Sequence, residues 1–147
     1  MKQQDNLNIT PILNWFKQAK PKPTIENIST QIGCHFEEVA EMAAQLNEHC
    51  LYAELDAAAD DYKNFNAVFA RLENLDKTEL LDALCDQIIT AIGVAYMFRM
   101  DIQGALSEVN RSNWSKFENG KPIFDEQGKI IKGKDYFKPE LNQFIGE

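Results

Sequence analysis

The sequence predicts an all-α protein, a bundle of four to five helices followed by an irregular C-terminal arm. Apolar side chains recur every three or four positions through most of the first 110 residues, the period of a helix that buries one face. Helix-opening residues stand ahead of those runs, at Thr10, Thr24, Thr78 and Asp101. Beyond Asn113 the period is lost, and Gly120, Pro122, Gly128, Gly133 and Pro139 break the chain repeatedly. At 147 residues the chain makes one domain, 1–147, with a helical core over about 10–116 and the arm over about 117–147.

Thr10 reads as an N-cap with Pro11 at the first helical position, opening a helix that runs to about Lys20 and is ended by Pro21 and Pro23. A second helix runs from about Thr24 to about His49, with Ile32, Phe36, Val39, Ala43, Leu46 and Cys50 as one stripe. A third covers about 57–75, with Tyr62, Phe65, Phe69 and Leu72 inward. Thr78 caps a fourth that reaches Phe98 on a stripe of Leu81, Leu84, Ile88, Ile92 and Ala95. Asp101 caps a fifth, which includes Ala105, Leu106 and Val109. In the arm, PIFDEQGKII carries the signal of a small β-hairpin around Glu126-Gln127-Gly128.

With 44% hydrophobic and 26% charged residues, the chain is neither disordered nor collagen-like. Its longest nearly apolar run, Ile88 to Phe98, has 11 residues, against the roughly 20 of a membrane span, and reads as a buried helix segment. No apolar stretch follows Lys2, so no signal peptide is visible, and the expectation is a cytoplasmic protein with no membrane partner. Cys34, Cys50 and Cys85 are odd in number and lack CxxC spacing, which suits small buried thiols better than a disulfide framework or a thiolate zinc site. A net charge of −8 argues against general affinity for nucleic acid. The sign is uneven, −9 over residues 1–110 and +3 over 111–138. Such a chain suits an anionic ligand only if a cation neutralises the acids.

The run from Gly128 to Gly133-Lys134 matches the start of a phosphate loop, but Asp135 replaces the magnesium-binding Ser or Thr and no helix follows. His35 and His49 make neither a zinc motif nor a catalytic triad, and they read as surface or helix-end residues. The acids are more informative. Glu37, Glu38 and Glu41 form EExxE on the second helix, where Glu38 and Glu41 share a face and Glu37 lies one turn from Glu41. Glu79, Asp82 and Asp86 line one side of the fourth. Two carboxylate pairs on facing helices supply the oxygen ligands of a hard divalent cation. The plainer alternative is a solvated face, since the EExxE glutamates lie roughly opposite the Ile32/Phe36/Val39 stripe. A further helical layer would have to cover them for a metal site to form.

HFEEVAEMAAQL, followed by LLDALCDQIITAIGVAYMFRMDIQGALSEVNRSNWSKF and GKPIFDEQGKIIKGKDYFKPEL, resembles the MazG-like, phosphoribosyl-ATP pyrophosphohydrolase-like superfamily of all-α nucleoside triphosphate pyrophosphatases. The likeness covers roughly residues 30–142. It implies Mg²⁺, with Mn²⁺ as a substitute, held by EExxE on one helix and ExxD on another. EExxE falls on Glu37, Glu38 and Glu41. Glu79-Leu-Leu-Asp82 satisfies ExxD literally, but the family's hydrophobic run starts after Asp86, and Ala83 stands where that register wants glutamate. The ligand set so implied is Glu38, Glu41, Asp82 and Asp86, with Glu79 behind them and Glu37 or Glu38 as the catalytic carboxylate that handles water. Asn110, Arg111, Asn113 and Lys116 are implied near the phosphates or sugar, and Lys134 and Tyr136 as residues of the arm that close over the ligand.

The expected activity is hydrolysis of a nucleoside triphosphate between the α and β phosphates, giving a monophosphate and pyrophosphate. Phosphoribosyl-ATP or a single deoxynucleotide is the alternative substrate, and a non-catalytic helical interaction module is the alternative class. The resemblance also implies a homodimer or homotetramer, the bundle being completed by oligomerisation.

Overall fold

The computed structural model describes residues 8–65 and 72–146. Its five α-helices are α1 (Thr10–Ala19), α2 (Ile25–Gln45), α3 (His49–Lys63), α4 (Lys77–Met97) and α5 (Ile102–Trp114), with a 3₁₀ turn at Asn142–Phe144. The described residues contain no β-strand, so the protein is all-α as the sequence predicts. The chain divides into two compact units. One comprises α1, most of α4, α5 and the arm; the other comprises α2, α3, the first residues of α4 and Phe124–Lys129.

The helix ends follow local chemistry. Thr10 is the first helical residue of α1 rather than its cap, which is Ile9, so Pro11 takes the second helical position instead of the expected first. Thr24 opens α2 through a reciprocal capping box with Asn27, its hydroxyl accepting from Asn27 N at 3.3 Å while Thr24 N donates to the Asn27 side chain at 3.1 Å. α2 stops at Gln45, short of the expected His49. Asn47 adopts φ 61°, Asn47 N donates to Ala44 O, and Glu48 N donates to Ala43 O, the paired bonds of a left-handed helix stop. α3 then starts at His49, eight residues before the sequence expectation, and ends at Lys63. The expected inward Phe69 lies outside the described residues. For α4 the cap is Asp76 rather than Thr78, Asp76 Oδ1 accepting from Thr78 N at 2.9 Å and Glu79 N at 3.2 Å. Asp101 caps α5 as expected, accepting from Gly104 N at 3.0 Å.

In the hairpin unit α2 packs along α3 on small residues. Ser29, Thr30, Gly33, Ala40 and Ala43 are buried on α2 and Ala59 on α3. A Cβ on Gly33 would sit 2.7 Å from the Ala59 carbonyl oxygen, so only glycine permits this approach. Ser29 Oγ donates to Tyr62 O at 2.6 Å, and Phe36 meets Tyr62 edge-on. The expected α2 stripe is therefore corrected: Ile32, Phe36 and Val39 are half-buried, whereas Leu46 and Cys50 are exposed. The other unit centres on Trp15, stacked on Phe117 with ring centroids 5.6 Å apart, beside Ala19 and Ile130.

α4 departs furthest from expectation. Of its predicted inward stripe Ala95 is buried and Ile92 half-buried, while Leu81 is 62% and Ile88 54% exposed. Most of the run from Ile88 to Phe98, expected to be buried, also faces outward, as does Cys85. By length and composition alone α4 could cross a membrane, with a mean hydropathy of 1.4 over 18 residues.

Candidate functional site

The two acid clusters lie on α2 and α4. On α2, Glu38 and Glu41 are exposed and one turn apart, whereas Glu37 is half-buried. Its carboxylate is bound at both oxygens: Oε1 receives Lys63 Nζ at 3.3 Å, and Oε2 receives Lys129 Nζ at 2.7 Å. Burial pushes the Glu37 carboxyl up, but the bonds and positive charges of Lys129 and Lys63 outweigh it and hold the group below the usual carboxylate range. Burial likewise pulls the Lys129 ammonium down, and Glu37 more than restores it, leaving it above the ordinary lysine value. Cys34, one turn before Glu38, is pushed up chiefly by burial.

On α4, Glu79, Asp82 and Asp86 are all exposed. Each cluster is an arc of oxygen donors on one helix, which is the donor chemistry that suits Mg²⁺. Among the described residues, however, no three His, Cys, Asp or Glu side chains come together as a metal cage.

The phosphate-side residues belong to α5 and the arm. Asn110, Asn113 and Lys116 are half-buried, and Arg111 is exposed. The Arg111 guanidinium grips Glu108 with two bonds of 2.9 Å and lies over the Phe137 ring, 4.3 Å from its centroid. Glu108 Oε1 also accepts from Glu140 N at 3.0 Å. Arg111 and the Glu140 amide hold the Glu108 carboxyl below its ordinary range, and Glu108 in turn raises Arg111. Arg111 is thereby tied to the arm. Lys134 is exposed and its backbone N–H donates to Glu118 at 2.7 Å, while Gly133 N donates to Lys116 O at 3.0 Å, so these two amides of the phosphate-loop match are engaged within the arm. Lys132 Nζ sits 4.8 Å from the Tyr136 ring centre.

The hairpin signal in the arm yields a tight turn without strands. Asp125 N donates to Lys129 O at 2.9 Å, and Gly128 turns with φ 77°. Sequence reasoning missed Glu108, although an acid three residues before an arginine on a helix is a readable pair. It also missed Lys63 and Lys129, which stand 26 and 92 residues from Glu37 and leave no local pattern. No protein-family model matches this chain, and neither the curated proteins nor the solved structures compared with it supplied a match.

Proposed function

We propose that this protein is a cytoplasmic, Mg²⁺-dependent nucleoside triphosphate pyrophosphohydrolase that works as a homodimer or homotetramer. The observation that carries the reading is α4, a 21-residue helix that exposes Leu81 and Ile88 together with the carboxylates Glu79, Asp82 and Asp86. A lipid bilayer is a poor cover for that helix, since an aspartate at a membrane midplane costs roughly 2.5–3.5 kcal/mol and α4 carries two of them. A second protein layer suits it better, covering the apolar side while bringing further oxygen donors toward the acids. In this reading Glu38, Glu41, Asp82 and Asp86 hold the ion, with Glu79 behind them. Glu38 orients the water, and Asn110, Asn113 and Lys116 approach the phosphates or sugar. Bound Mg²⁺ supplies the charge neutralisation that a triphosphate needs beside so many carboxylates.

A second reading is favoured by the exposed Leu81, Ile88 and Ile89 of α4: a non-catalytic helical module that uses this helix to bind a partner. A screen for pyrophosphate release over canonical, damaged and phosphoribosyl nucleotides, with Mg²⁺ and with Mn²⁺, separates the two. Release from any of them supports the enzyme and identifies its substrate. Silence across the panel, together with no Mg²⁺-dependent rise in unfolding temperature, leaves the module.

A further inference from the structure

We infer that Glu37 fastens the Asp125–Lys129 turn to the α2–α3 hairpin, as the carboxylate shared by Lys63 and Lys129, and that this is its work rather than metal ligation or proton transfer. Lys63 requires an anion there. Its side chain is only 10% exposed, and its stem lies against α2 at Gly33, where a Cβ would come 2.7 Å from Lys63 Cγ. Asp60 stands farther off, at 3.6 Å, on a mostly exposed side chain. Without Glu37, this almost buried charge would keep only the longer, more exposed Asp60 contact.

Lys129 arrives on a turn with its own internal order. Asp125 Oδ1 accepts from Gln127 N at 2.9 Å and from Lys129 N at 2.8 Å. Two more bonds seat the turn on the hairpin: Thr30 Oγ1 donates to Gln127 O at 2.9 Å, and Gln127 Nε2 donates to Asn64 Oδ1 at 2.6 Å. Two ammonium groups, one from α3 and one from the turn, thus meet on a single glutamate of α2. Either oxygen through which Glu37 could ligate a cation or take a proton already carries an ammonium group, which would have to be displaced or shared.

The test is hydrogen exchange over residues 124–129 in the full chain, read by mass spectrometry, alongside Mn²⁺ uptake followed by electron paramagnetic resonance. Lys129→Met should speed exchange of the turn about tenfold, the effect of losing one charge-assisted bond from a local opening. Lys129→Arg and Glu38→Gln should leave it as in the wild type. The pair Glu37→Gln/Lys63→Met, which removes the buried charge with its partner and so spares the hairpin, should also free the turn. An unchanged turn in Lys129→Met or in the pair overturns the inference. So does Mn²⁺ uptake that is lost in the pair as fully as in Glu38→Gln. A wild-type protein that takes up no Mn²⁺ defeats the pyrophosphohydrolase reading instead, and exchange then decides the fastening by itself.

Discussion

Glu108 and Glu37 are both glutamates whose carboxyl groups are held down by cations, yet they differ in what those cations hold. Glu108 joins Arg111 on its own helix to the Glu140 amide, so its ionised form holds part of the arm. Its folded pKa lies below the unfolded value, so the interaction is complete above the ordinary carboxylate range and is lost as pH falls through the lowered value. The Glu140 amide resonance should therefore shift with acidification at that lowered midpoint, and Glu108→Gln should abolish the titration while leaving the helices intact. Glu38 is the residue on which catalysis is staked. Glu38→Gln and Asp86→Asn should each remove pyrophosphate release with helical circular dichroism unchanged, and near-wild-type turnover at saturating Mg²⁺ in either would defeat the assignment.

At the scale of elements, the α2–α3 contact is controlled by volume. A methyl group at Gly33 meets the Ala59 carbonyl and the Lys63 stem at 2.7 Å, and a backbone atom cannot swing aside. Gly33→Ala should thus cost about 1–3 kcal/mol in chemical denaturation, as overpacking does. The α4 stop offers the opposite test. Arg99 holds φ 60° while Met100 N donates to Ala95 O, a left-handed position where a side chain is disfavoured. Arg99→Gly should stabilise by about 0.5–1 kcal/mol, the relief being partly offset by the freer unfolded chain. These two sites also explain what was legible in the sequence. The helical class and the Asp101 cap rest on period and local polar chemistry, which a single chain displays openly. The start of α3 and most of the hairpin interface were hidden, because Ser29, Gly33, Ala40 and Ala59 pack closely while adding little to an apolar stripe. EExxE could be read as a spacing, but the grip of Lys63 and Lys129 on its first member depends on tertiary placement that no local pattern encodes.

At the scale of the molecule, the exposure of α4 sets the question of assembly. A helix of 21 residues is about 30 Å long, long enough to span a standard protein interface of about 800 Å² per partner. Ile88, Ile89, Val94 and Met97 are each more than half exposed along it, and leaving them in water forfeits the stabilisation that burial of apolar area would give. The chain's net charge of −8 makes self-association through the acidic side unfavourable without cations, whereas the apolar side carries no such penalty. The two contributions can be separated by sedimentation. The wild type should sediment as a dimer or tetramer at micromolar concentration, and Ile88→Asp should shift it to monomer by placing a charge in the covered stripe. Added Mg²⁺ should tighten the wild-type assembly, since it screens and bridges the acids that otherwise repel. In Asp86→Asn that cation response should weaken while the apolar association remains. A wild type that stays monomeric with and without Mg²⁺ would remove the second layer on which the proposed catalytic site depends.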